Sequence, residues 1–104
     1  IAESFSRLCI AAQESFPVAL ALLRAWLQPL AHPDYVVHLL HEAGLCQRFP
    51  EQALEFLSLV IGDYSQWPPS DLGACLEKIG AIQSALAADQ RFEQLMAYLR
   101  RHGK

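Results

Sequence analysis

A helix start followed by an apolar stripe occurs three times in this chain, and the middle copy, Phe49 to Gly62, is the most complete. Arg48-Phe49-Pro50-Glu51-Gln52 is answered downstream by Arg91-Phe92-Glu93-Gln94, and Phe16-Pro17 opens a similar run upstream. Behind each opening, Ala53-Leu54-x-Phe56-Leu57 aligns with Ala19-Leu20-x-Leu22-Leu23 and with Leu95-Met96-x-Tyr98-Leu99. A phrase of this kind has helical periodicity, because its apolar positions fall on one arc at 3.6 residues per turn. Repetition of the phrase predicts an all-α chain built from similar units.

Taken in order, the chain predicts six helices. Ile1, Phe5, Leu8, Cys9 and Ala12 define one face of a first helix running to about Glu14, with Ile10 on the opposite face. Ser15 leads into a second helix from Pro17 to Gln28, where proline costs nothing in the first turn. That helix is apolar almost all round, which predicts cover on more than one side. Pro33 restarts the chain as a third helix from Asp34 to Ala43, and Gly44 stops it in the left-handed conformation. The fourth spans Pro50 to Gly62, with Ala53, Leu54, Phe56, Leu57, Leu59, Val60 and Ile61 on its apolar arc. Leu72, Cys75, Leu76, Ile79, Ile82 and Leu86 keep one register, predicting a single fifth helix from about Pro69 to Ala87 despite Gly73 and Gly80. Asp89 caps the sixth, whose narrow apolar face is Phe92, Leu95, Met96 and Leu99.

Composition bounds what such a chain does. Its 104 residues suit one domain, 1–104, large enough to bury a core without staples. A net charge of −3, with Lys and Arg few and scattered, argues against nucleic acid as a partner. Cys9, Cys46 and Cys75 are odd in number and far apart, so they read as reduced thiols packed as small apolar groups, in keeping with a cytoplasmic location. The longest apolar run, Pro17 to Leu27, carries Arg24 and falls short of the roughly 20 residues a membrane span needs. No membrane is therefore expected as a partner. A hydrophobic fraction of 53% against 18% charged exceeds the need of an average soluble domain, which suggests that some surface meets another protein. The opening at Ile1 reads as a piece excised from a longer chain.

Three helical hairpins whose openings recur after 33 and then 43 residues, at Phe16, Phe49 and Phe92, resemble the HEAT and tetratricopeptide types of α-solenoid repeat. The likeness covers the whole chain loosely, and the tetratricopeptide pattern of Trp, Leu-Gly and Tyr at fixed places is absent. The Asp63 to Pro69 and Asp89-x-Arg-Phe phrases look like helical tail regions of large bacterial multidomain proteins, some with NTPase domains. The resemblance implies right-handed stacking of helix pairs, with upstream repeats of the same chain or another protein as partner. A compact six-helix bundle of the death-domain type is the competing architecture.

Candidates for chemistry are few. Asp34, His38, His41 and Glu42 have metal-like spacing, yet they cluster opposite Val36, Leu39, Leu40 and Ala43, as the solvent face of an amphipathic helix does. No glycine-rich phosphate loop or nucleophile elbow occurs, and the acids are spread one or two per helix. The chain thus reads as having no catalytic, metal or cofactor-binding residues. The surface candidates are Tyr64, Trp67, Pro68 and Pro69, because Trp followed by two prolines is stiff and aromatic residues are common binding hot spots. The ordinary reading of Trp67, and the favoured one, is a staple folded back over the core before the fifth helix. Ile10 joins the candidates as an apolar residue opposite the core stripe, where a preceding repeat or a second copy of the fragment would cover it. The resulting expectation is a non-catalytic protein–protein interaction or scaffolding domain. A regulatory or sensor domain attached to an enzyme such as an NTPase is the alternative, and a small enzyme ranks third.

Overall fold

The apolar periodicity is realised as helix throughout. In a computed structural model, which describes residues 2–27, 33–61 and 68–102, every regular element among those residues is helical. They are α1 (Ala2–Ala11), α2 (Phe16–Leu23), α3 (Asp34–Glu42), α4 (Leu45–Arg48), α5 (Pro50–Val60), α6 (Leu72–Ile82) and α7 (Gln90–His102). Short 3-10 turns lie at Gln13–Ser15, Arg24–Trp26 and Ser84–Ala88. Pro17 and Pro50 both sit in the first turn of their helices, α2 and α5, where the missing N–H would have had no partner.

Three details differ from the sequence reading. The first helix ends at Ala11 rather than Glu14, and Gln13, with φ +53°, turns the chain in the left-handed region. The segments on either side of that corner, Ser4–Ala11 and Gln13–Trp26, meet at 109°. The single helix expected from Pro69 to Ala87 stops at Ile82, because Gln83 leaves the helical region at φ −137°. An unbroken register would put Ile82 and Leu86 on one stripe; the break instead leaves Ile82 56% exposed while Leu86 is buried. The extra one-turn helix α4 follows Gly44, whose φ of +72° ends α3 and starts α4 in one residue.

A single core cluster runs from Cys9 in α1 to Tyr98 in α7. At its centre the openings of two repeated phrases meet: the Phe16 ring lies 6.2 Å from Phe49 and 5.8 Å from Phe56. Phe16 and Phe56 are fully buried, each contributing on the order of 1.5–3 kcal/mol by removal from water, and Phe49 is partly buried against them. Ala53, Leu54, Phe56, Leu57, Val60 and Ile61 of the organising stretch are all buried, and only Leu59 of the expected arc is half-exposed. The radius of gyration, 12.3 Å, is that of a globular domain of this length, about 13 Å.

Polar groups fix the ends of the elements. Asp89 accepts the backbone N–H of Arg91 at 2.8 Å as the N-cap of α7, and the Arg91 guanidinium bonds both carboxylate oxygens at 3.0 and 2.9 Å. These side-chain and backbone bonds hold the Asp89 carboxyl down at about 2. Arg24, just past α2, pairs with Glu55 of α5 at 2.6 Å, an exposed bridge that contributes at most about 1 kcal/mol. His38 of α3 bonds Asp71, the residue before α6, at 2.7 Å.

The two glycines inside α6 face α7. A Cβ at Gly73 would lie 3.8 Å from Leu99 Cδ1, and one at Gly80 would lie 3.5 Å from Phe92 Cζ. Both distances are ordinary van der Waals contacts, so the close neighbour these small residues admit is α7 itself and there is room for a methyl group. Gly80→Ala should therefore stabilise the fold by about 0.5–1 kcal/mol through reduced chain entropy in the unfolded state. Thermal denaturation would show it as a raised midpoint, whereas a fall would mean α6 and α7 pack without slack at Phe92.

Candidate functional site

α2 has almost no polar residue, and its core needs only one side of it. Phe16 and Leu20 point into the core. Val18 and Leu22, spaced four residues apart on the other side, are 62% and 73% exposed, and Trp26, four further on, is 58% exposed. Such spacing places Val18 and Leu22 near one another on the surface of α2, while Trp26 lies in the 3-10 turn that follows it. The Trp26 ring packs 5.7 Å from Phe5 of α1, and Leu8, one turn along α1 from Phe5, is 57% exposed. Leu8, Phe5, Trp26, Leu22 and Val18 thus form an apolar belt across the α1–α2 corner. A depression of about 500 Å³ lined by Ser4, Arg7, Leu8 and Ala11 adjoins it on the outer face of α1.

Comparison among the repeated phrases identifies the exceptional residue. The aligned positions Phe56 and Tyr98 are 0% and 2% exposed, while their counterpart Leu22 is 73% exposed. Two copies bury this apolar position and the first copy leaves it open. Of the six large apolar side chains most exposed among the described residues, four lie in this belt; Tyr35 and Ile82 are the others.

Ile10 requires a correction. It is only 5% exposed and belongs to the core, together with Cys9 and the buried Ser6, while Leu8 faces solvent. The stripe through Leu8 and Ala12 was centred too far round the helix, since the α1–α2 corner turns the Ser6–Ile10 side inward. Pro69 is also buried and Pro68 half-buried, so neither presents an open surface. Tyr64 and Trp67 lie outside the described residues.

The histidine helix divides differently from its sequence reading. Asp34, His38 and Glu42 are exposed, as a solvent face requires, but His41 is half-buried and its Nδ1 is enclosed without a hydrogen-bond partner. Among the described residues no three or more His, Cys, Asp or Glu side chains come together as metal ligands would. Cys9, Cys46 and Cys75 are free and buried. Burial pushes the Cys9 thiol up to about 11, and a hydrogen bond with Cys75, reinforced by burial, pushes Cys46 up as well. A second depression, about 420 Å³, is lined by Ala87, Phe92, Glu93, Met96 and Arg100. It is walled largely by one helix, α7.

No single helix among the described residues is long and apolar enough to cross a membrane. Comparison with protein-family models, with curated proteins and with solved structures found no match to this chain.

Proposed function

We propose that this chain is a non-catalytic protein–protein interaction or scaffolding domain, and that its contact surface is the belt of Val18, Leu22 and Trp26 with Leu8 beside it. The observation that carries the reading is the exposure of Leu22 at a position its two internal counterparts bury. An apolar side chain left in water loses the stabilisation of burial, about 25 cal/mol per Å², and a partner surface restores it. Contiguous exposed apolar residues are what association sites have in common, and tryptophan is enriched among residues that dominate binding.

A solenoid-like order of the helix pairs fits this reading. Among the described residues the principal contacts join neighbouring pairs: α1 packs on α3 and α2 on α5, while α5 packs on both α6 and α7. In such an order the first pair has an outer side that a preceding repeat or another protein would cover.

Site-resolved photo-crosslinking of this chain in the cells that produce it tests the proposal. A photoreactive residue at position 22 or 18 should give a discrete crosslinked product, whereas the exposed control positions Glu77 and Gln94 should give little. Leu22→Glu should leave stability within about 0.5 kcal/mol, as surface changes do, and abolish the product made from position 18. Equal crosslinking at belt and control positions would overturn the assignment.

A further inference from the structure

The outer face of α2 repeats at helical spacing. Val18, Ala21 and Leu22 are all exposed, the i, i+3, i+4 pattern of a face that lies against another helix, and the exposed Ala25 and Trp26 carry it on into the 3-10 turn. We propose that this face takes a second copy of the same chain, with the two α2 helices antiparallel across a two-fold axis at Leu22, an inference that rests on the belt being the contact surface.

The pattern is self-complementary. Val18 lies one turn before Leu22 and Trp26 about one turn after it. A copy turned over about Leu22 therefore sets Leu22 against its partner's Leu22, and the small Val18 end of each helix meets the large Trp26 end of the other, as an isologous contact requires. Ala21 and Ala25 leave room for the axes to approach to about 8–10 Å. Within the chain Phe56, the counterpart of Leu22, is covered by the Phe16 ring at 5.8 Å. The partner's Leu22 and Trp26 give Leu22 the same cover.

Charge and area agree with this occupant. Glu14 precedes α2 and Arg24 follows it, both exposed. Glu14 has no ion pair among the described residues, and the Arg24 side chain is 56% exposed despite its bond to Glu55. Antiparallel pairing sets the acidic end of each copy against the basic end of the other, twice by symmetry. Leu8, Val18, Leu22 and Trp26 leave on the order of 500 Å² in water, as large as the largest apolar patches on monomers. An interface takes about 800 Å² from each partner, and Ala21, Ala25, Glu14 and Arg24 supply the remainder.

Sedimentation of the chain tests the proposal. With one helix pair at its centre the contact belongs at the weak end for its area, with a Kd of about 10 µM. At about 200 µM the mass should be twice the 11.6 kDa of the chain. Leu22→Glu, which brings two carboxylates together at the axis, should weaken association at least about 100-fold. Circular dichroism at about 1 µM, where the monomer prevails, should give the two chains the same helicity. Leu22→Cys under mild oxidation should link to its own counterpart, because only the axis brings equal positions together. Val18→Cys, whose two copies lie about 12 Å apart along the pair, and the exposed control Ala85→Cys should link at least about tenfold more slowly. The native thiols are buried and do not compete. A chain that stays monomeric, a dimer that Leu22→Glu leaves intact, or linkage at position 18 as fast as at 22 would each overturn the pairing. A monomer whose position 22 still crosslinks to a different protein overturns the pairing alone; one that crosslinks to nothing overturns the contact surface as well.

Discussion

Ile10→Glu should destabilise this domain more than any other change considered. Ile10 is 5% exposed beside Cys9, among apolar neighbours of the core cluster, and nothing in that cluster supplies a positive charge for a carboxylate. The glutamate must either bury its charge, take up a proton or pull α1 away from α3. Each costs a large part of a typical domain stability of 5–15 kcal/mol, so the expected loss is roughly 4 kcal/mol or more. Chemical denaturation with circular dichroism would measure it. Leu22→Glu, the same kind of change at a side chain 73% exposed, should leave the denaturation curve nearly unmoved. A mild effect at Ile10, or a severe one at Leu22, would mean that α1 or α2 is rotated from the orientation described.

Leu57→Ala should be the second most damaging of the changes considered, at about 2–5 kcal/mol. Leu57 is completely buried in the middle of α5, and α5 packs on α2, α4, α6 and α7. Removing its isobutyl group loses the transfer free energy of the missing carbons and leaves a cavity that four neighbouring helices cannot all close at once. A denaturation midpoint shifted without a change in slope would show that the whole domain loses stability as one unit. A loss below about 1 kcal/mol would make α5 peripheral.

The two predictions differ in how visible their basis is in the sequence. Leu57 belongs to a helix whose apolar arc is wide, bounded by Pro50 at its start and flanked by Glu51, Gln52, Glu55 and Ser58, and Leu57 lies near the middle of that arc. α1 is shorter in pattern. Phe5, Leu8 and Cys9 define a stripe as well as Phe5, Cys9 and Ile10 do, and periodicity within ten residues does not choose between them. The choice is made by the 109° corner at Ala12 and Gln13, which presents the Ser6–Ile10 side to α2 and α3.

The candidate belt was legible to the same degree. The excess of apolar residues in the second helix marks this end of the chain as expecting cover, and Val18, Leu22 and Trp26 carry that excess. The internal alignment sets Leu22 opposite Phe56 and Tyr98 and so would have placed it in the core. Exposure, however, depends on which neighbours arrive, and an apolar residue looks the same in a one-letter sequence whether or not a second helix lies over it.

By itself the sequence determined what local physics controls: helix as the regular element of the described residues, the proline-led starts of α2 and α5, the left-handed stop at Gly44, the Asp89 cap and the buried arc of α5. These depend on residues within a turn or two of one another. Tertiary structure alone decided the direction in which α1 faces, the break after Ile82 and the partnership of His38 with Asp71. Each of these is a choice among several locally equivalent arrangements, settled by which surfaces leave water together when the helices pack, and that sum extends over residues far apart in the chain.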